Sequence, residues 1–85
     1  MISKAAGRNL KKLRKLLSEK QFGRLDKKIQ DLANDPRPPG CEDLEGTAKG
    51  YRIRDGDYRV LYAVDDDKKL VKVARIRDRR DVYKH

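Results

Sequence analysis

Tyr51-Arg52-Ile53-Arg54, then Asp55-Gly56-Asp57, then Tyr58-Arg59-Val60-Leu61-Tyr62-Ala63-Val64 is the stretch that decides the fold of this 85-residue chain. Its first segment alternates side-chain character with period two, the spacing of a strand whose two faces meet different surroundings. Asp-Gly between two alternating runs signals a tight hairpin. Asp65-Asp66-Asp67-Lys68-Lys69 makes a second polar turn, and Leu70-Val71-Lys72-Val73-Ala74-Arg75-Ile76 returns as a third strand. The stretch predicts a three-stranded antiparallel meander. A fourth, short N-terminal strand at Met1-Ile2-Ser3 is the alternative.

Upstream of the meander the period lengthens. Leu10, Leu13 and Leu17 recur at helical spacing with Lys11, Lys12, Arg14 and Lys15 between them, which predicts an amphipathic helix with a basic outer face. Phe22, Leu25, Ile29, Leu32 and Ala33 repeat the pattern after a break near Ser18–Gln21. Asn34-Asp35-Pro36 ends this second helix, because proline keeps the residue before it out of helical geometry. So short a connection folds the helices into an antiparallel hairpin with one apolar seam. The connector Arg37-Pro38-Pro39-Gly40-Cys41-Glu42-Asp43-Leu44-Glu45-Gly46 is too rich in proline and glycine for regular structure, and Leu44 is its expected anchor. The charged tail offers Val82 and Tyr83 as anchors. The expected architecture is a single α+β domain over residues 1–85, an N-terminal helix hairpin packed on a small antiparallel sheet.

Charge is the other strong signal. Lys and Arg number 23 against 14 Asp and Glu, giving a net charge of +9. Residues 1–34 carry +7, residues 35–50 carry −2 and residues 51–85 carry +4, so the connector stands apart from both basic flanks. An excess of this size suits an anionic partner, nucleic acid first among them; a solvated surface that aids solubility is the plainer account. Hydrophobic residues are only 36% of the chain. Nearly all of them are needed in the core, which leaves no room for a large internal ligand cavity.

Several chemistries are excluded or disfavoured at once. No apolar run approaches the length of a membrane span or a signal-peptide core. The single Cys41 allows no internal disulfide and none of the common multi-cysteine zinc sites, and His85 is the only histidine. Asp55, Asp57 and Asp65–Asp67 fall where turns need aspartate, and a solvated turn is the simpler reading than a divalent-metal site. The expectation is a soluble, cytoplasmic protein with no cofactor, no metal and no membrane association.

What remains is an arginine surface. If Tyr51 and Ile53 meet the helices, Arg52 and Arg54 point to the open face of the sheet. The hairpin brings Arg59 to that pair, Arg77 ends the neighbouring strand, and Tyr83 lies near the rim. Guanidinium groups grip phosphate oxygens in bidentate fashion and stay charged at physiological pH. A tyrosine ring can stack on an unpaired base. Arginines on exposed strand positions also serve plain solubility, but four converging on one face favour a phosphodiester ligand. With no acid/base histidine, the chemistry open to such a face is electrostatic stabilisation of a pentacovalent phosphate while an RNA 2′-hydroxyl attacks in line.

Asp35-Pro36-Arg37-Pro38, Leu44-Glu45-Gly46, the Tyr51–Tyr62 run and Arg79-Arg80-Asp81-Val82-Tyr83, taken in this order and spacing over residues 8–85, resemble the RelE/ParE toxin superfamily. The resemblance implies a toxin of a type II toxin–antitoxin pair, held inactive by a cognate protein antitoxin in a complex that could extend to a heterotetramer. RelE-like members enter the ribosomal A site and cut mRNA there with basic residues and a tyrosine. ParE-like members share the fold but inhibit DNA gyrase and do not cleave RNA. Position by position, Arg52 and Arg54 match the basic strand residues that hold phosphate. Arg59 matches the arginine after the Gly-Asp-Tyr turn that supports transition-state charge. Arg77 matches the basic residue ending the last strand, and Tyr83 the tyrosine that orients the cleaved nucleotide. All five positions are filled, which points to the nuclease branch. Lys11, Lys12, Arg14 and Lys15, with Arg79 and Arg80, are the expected contacts to ribosomal or messenger RNA.

Two departures carry expectations of their own. Asp78 stands where many relatives have histidine, and Arg54 replaces a lysine, removing a general base and predicting turnover that rests on positioning. The family places a strand before its first helix. With only Met1-Ile2-Ser3 there, an open sheet edge is expected to recruit an antitoxin strand.

Overall fold

Ser18 is why there are two helices rather than one. In the computed structural model, which describes residues 2–44 and 50–78, helix α1 spans Lys4–Leu16 and helix α2 spans Glu19–Asp31. Ser18 has extended backbone and caps α2 reciprocally with Gln21. Its hydroxyl accepts from the Gln21 N–H at 3.1 Å, and the Gln21 side chain accepts from the Ser18 N–H at 3.3 Å. Helix α2 stops at Asp31, so Leu32 is still buried while Ala33, expected on the apolar seam, is exposed in the turn that follows.

Four antiparallel strands follow: β1 (Glu42–Asp43), β2 (Gly50–Asp55), β3 (Tyr58–Asp65) and β4 (Leu70–Asp78), ordered β1-β2-β3-β4 in the sheet. The β2–β3 loop is Gly56-Asp57, and Gly56 takes a φ of 61°, the positive value a two-residue hairpin loop needs. The fourth strand is therefore not N-terminal. It comes from the connector, where Glu42 pairs with Arg52 and Asp43 with Tyr51 despite the surrounding prolines and glycines. The N-terminus contributes a single parallel bridge, Ile2 to Val73.

One irregularity sets the faces of β4. Leu61 pairs with Arg75 but Tyr62 pairs with Val73, which leaves Ala74 as the extra residue of a bulge. Without it, a strict period of two would put Val73 on the solvent side. With it, Val71, Val73 and Ile76 all reach the core. That core joins Ala6 and Leu13 of α1 and Leu25 and Ile29 of α2, with Leu32, to Ile53, Val60, Tyr62, Val64 and the three β4 residues.

The outer edge of β4 is closed by α1. Ser3 caps that helix by accepting from the Ala6 N–H at 3.0 Å, donates its hydroxyl to the Ala74 carbonyl at 2.7 Å, and donates its N–H to the Val73 carbonyl at 2.9 Å. The Ile76 N–H donates to Asn9 Oδ1 at 3.0 Å. The edge expected to be open is thus occupied by the chain's own residues between Val73 and Ile76, which removes the basis for antitoxin strand addition there.

The connector is held from the opposite side. The Tyr62 hydroxyl, its acidity weakened by burial, donates to the Pro36 carbonyl at 2.7 Å. Arg37 donates to both carboxylate oxygens of Asp66, at 3.2 and 2.9 Å, and to the Tyr51 hydroxyl at 3.0 Å. Those bonds, Asp66 first, hold its proton more tightly than usual. The buried Asp55 at the end of β2 pairs with Arg24 at 3.1 Å and Lys28 at 3.4 Å, tying α2 to the hairpin.

Candidate nucleic-acid interface

Residues opposed across antiparallel strands send their side chains to the same face. The register opposes Ile53, Val60 and Ile76 across β2, β3 and β4, and all three are buried under the helices. One residue along, Arg54, Arg59 and Arg77 oppose one another in the same way and must face the other side. The next row on that side is Glu42, Arg52, Leu61 and Arg75, and the row after it is Gly50, Ala63 and Lys72. The four arginines expected to converge, Arg52, Arg54, Arg59 and Arg77, share this one face.

Three charged members were not anticipated, Lys72 at the far row among them. Arg75 could have been found, since it stands two residues before Arg77 just as Arg52 stands two before Arg54. Glu42 had no such signal, because its strand is two residues long and sits in an irregular-looking connector. Its carboxylate accepts from Arg52 Nη2 at 3.0 Å. The bond and charge of Arg52, then the charges of Arg54 and Arg59, hold the Glu42 carboxyl below the usual carboxylate range. Glu42 therefore registers the field of three arginines at once.

Among the described residues, Arg54, Arg59, Arg75 and Arg77 have no ion-pair partner, and the Nε of Arg52 is buried without an acceptor. Like charges directly opposed across strands destabilise a sheet. Three unpaired guanidinium groups in one row therefore cost the fold stability, and an anion between them would relieve the repulsion. Among the described residues, which include no histidine, Glu42 is the carboxylate whose ionisation responds to the row.

The basic stretch of α1 is a separate surface. Lys11, Lys12, Arg14 and Lys15 are all exposed, and the Arg14 guanidinium lies 5.8 Å from the Phe22 ring centroid. Because Ala6 and Leu13 of the same helix pack into the core, this stretch points away from the sheet, on the side opposite the arginine face. Tyr83, Arg79 and Arg80 lie outside the described residues. A cleft of about 550 Å³ opens between α2, the proline connector and β2, lined by Leu32, Pro38, Pro39 and Ile53 with Lys28 and Arg54 among its cations.

With this geometry in view, residues 1–83 match the family described as ParE toxin of type II toxin-antitoxin system. The chain belongs to the ParE toxin family. Solved structures with the same fold include a chain of the archaeal RelE–RelB complex from Pyrococcus horikoshii, at 30% identity over 92% of this chain and 90% of that one, with a TM-score of 0.75. The isolated RelE toxin of E. coli is similar at 25% identity over 91% of this chain and 79% of that one, with a TM-score of 0.71. A RelBE toxin–antitoxin complex from Mycobacterium tuberculosis is similar at 26% identity over 93% and 94%, with a TM-score of 0.72. No curated protein sequence matches significantly. This ParE-family chain is thus a RelE/ParE-type toxin in fold and family, and no helix among its described residues is long and apolar enough to cross a membrane.

Proposed function

We propose that this toxin inhibits translation by cleaving mRNA in the ribosomal A site, with Arg52, Arg54, Arg59 and Arg77 as the residues that grip the scissile phosphate. The single observation that carries this reading is the unpaired row Arg54–Arg59–Arg77. Attack of a 2′-oxygen on phosphorus forms a pentacovalent dianion, then expels the 5′-oxygen, which takes a proton from water, and leaves a 2′,3′-cyclic phosphate. Guanidinium groups fixed by three paired strands stabilise that added charge without reorganising. Glu42, ionised at neutral pH beside Arg52, is the carboxylate placed to accept the 2′-hydroxyl proton, a weak base whose action depends on the ribosome holding the RNA in line. Tyr83 completes the site by orienting the nucleotide. The basic face of α1, with Arg79 and Arg80, contacts ribosomal RNA.

A cognate protein antitoxin holds this toxin inactive. The family match and the toxin–antitoxin complexes among the similar structures support that partner. The ParE family match also favours a second reading, inhibition of DNA gyrase without nuclease activity. Primer extension on mRNA in translating ribosomes, with the wild type beside an Arg59→Ala, Arg77→Ala double variant, separates the two. New 5′ ends within A-site codons, absent in the variant, are the expected result. Growth arrest without cleavage, undiminished in the variant and accompanied by loss of gyrase supercoiling, would replace the nuclease reading with the second. Rapid cutting of naked RNA would remove the ribosome from the mechanism.

A further inference from the structure

We infer that the open face of the sheet is a track for three successive phosphates of one RNA strand running along β3, with Arg75 and Lys72 as its second and third contacts. This rests on reading the face as an RNA site. The register supplies the spacing. On β3, the face-bearing positions Arg59, Leu61 and Ala63 are each two residues apart, about 6.7 Å at the usual strand rise. Successive phosphates of an extended single strand are separated by a similar distance. The first row places three guanidinium groups around one phosphate, the richest charge on the face and the place for the scissile group.

The second row has Arg52 and Arg75 on either side of Leu61, but the two are not equivalent. Arg52 is already engaged by Glu42 and serves the scissile phosphate of the first row rather than a second phosphate of its own. Arg75 is exposed and has no ion-pair partner among the described residues, so the strand passes on its side. In the third row Lys72 is the exposed cation, next to Ala63. The bulge at Ala74 is what puts Lys72 on this face. In strict alternation from Arg75, Val73 would face outward and Lys72 would not, so the extra residue buries Val73 and continues the line of positive charge together.

The test uses the full chain and 2′-O-methyl oligouridylates, which cannot be cleaved, with one to five phosphates, read by fluorescence anisotropy at several salt concentrations. Affinity is expected to climb up to three phosphates and then level. The slope of log affinity against log salt should be about −2, from about 0.7 per phosphate contact. Arg75→Gln should weaken the three-phosphate probe about fivefold to tenfold. Lys72→Gln should move the plateau to two phosphates, while Lys20→Gln on the exposed side of α2 leaves both quantities unchanged. Thermal melting of each variant confirms that it is folded. A plateau at one phosphate, or one that neither substitution moves, overturns the track; if Arg59→Gln still abolishes binding, the RNA reading survives it. Full binding by Arg59→Gln, or equal binding of an oligoglutamate of matched charge, overturns both.

Discussion

Ile53–Val60–Ile76 and Arg54–Arg59–Arg77 lie one residue apart on the same three strands and face opposite ways. The first row is explained from within. Its side chains are between 0% and 6% exposed, each removed from water against the helices, and burial of that kind drives folding. The second row has no such explanation among the described residues, since its three like charges repel and no described carboxylate forms an ion pair with them. One row is there because the fold needs it. The other finds no ion-pair partner among the described residues, which is why it is proposed as the row that grips phosphate.

The sharpest way to break this contrast is by activity. Arg59→Ala should lower A-site cleavage by roughly a hundredfold to a thousandfold, the usual loss when one fixed donor to a developing oxyanion is removed. Single-turnover cleavage in programmed ribosomes measures it, and a loss under tenfold would move the chemistry off the row. On the buried side, Ile76→Ala should cost about 2–5 kcal/mol of folding stability in urea titration while leaving phosphate affinity intact wherever the variant is folded. A smaller effect has the opposite sign. Arg59→Gln should stabilise the free protein by about 0.2–1 kcal/mol, a rise in Tm of about 1–8 °C. A fall in Tm would mean that the row is satisfied from within after all.

The smallest effect concerns Glu42. Its folded-state pKa lies below the unfolded value, so its contribution is present above the ordinary carboxylate pKa and is lost as pH falls through the depressed one. Wild type should therefore be more stable than Glu42→Gln at neutral pH, and the two should converge on acidification below about pH 4. Parallel curves across that range would show that the Arg52 pair does nothing for the fold.

Legibility followed the same division. Period two in Tyr51–Arg54 and period 3.6 in the leucines placed both faces and both helices, because burial imposes a pattern on many residues at once. Four of the site arginines could be read from it. Glu42 could not, since two residues of strand leave no period to see. The β4 bulge was written in Val71, Val73 and Ile76, whose spacing breaks parity, but only the register shows which residue is extra. Edge closure by Ser3 and Asn9 depends on single side-chain hydrogen bonds across some seventy positions of sequence, a scale at which local pattern carries no information.

That long-range closure has a consequence for timing. Strand β4 follows every other described element in the chain, and it brings Arg77 to a row whose other two members are already paired on the β2–β3 hairpin. Synthesis proceeds from the N-terminus and local elements form as they emerge. A nascent chain can therefore hold the helices and the hairpin and still lack the third guanidinium of the row. The complete arginine row comes into being only once β4 has left the ribosome and latched against Ser3 and Asn9, so the helices and hairpin can form before the row is whole.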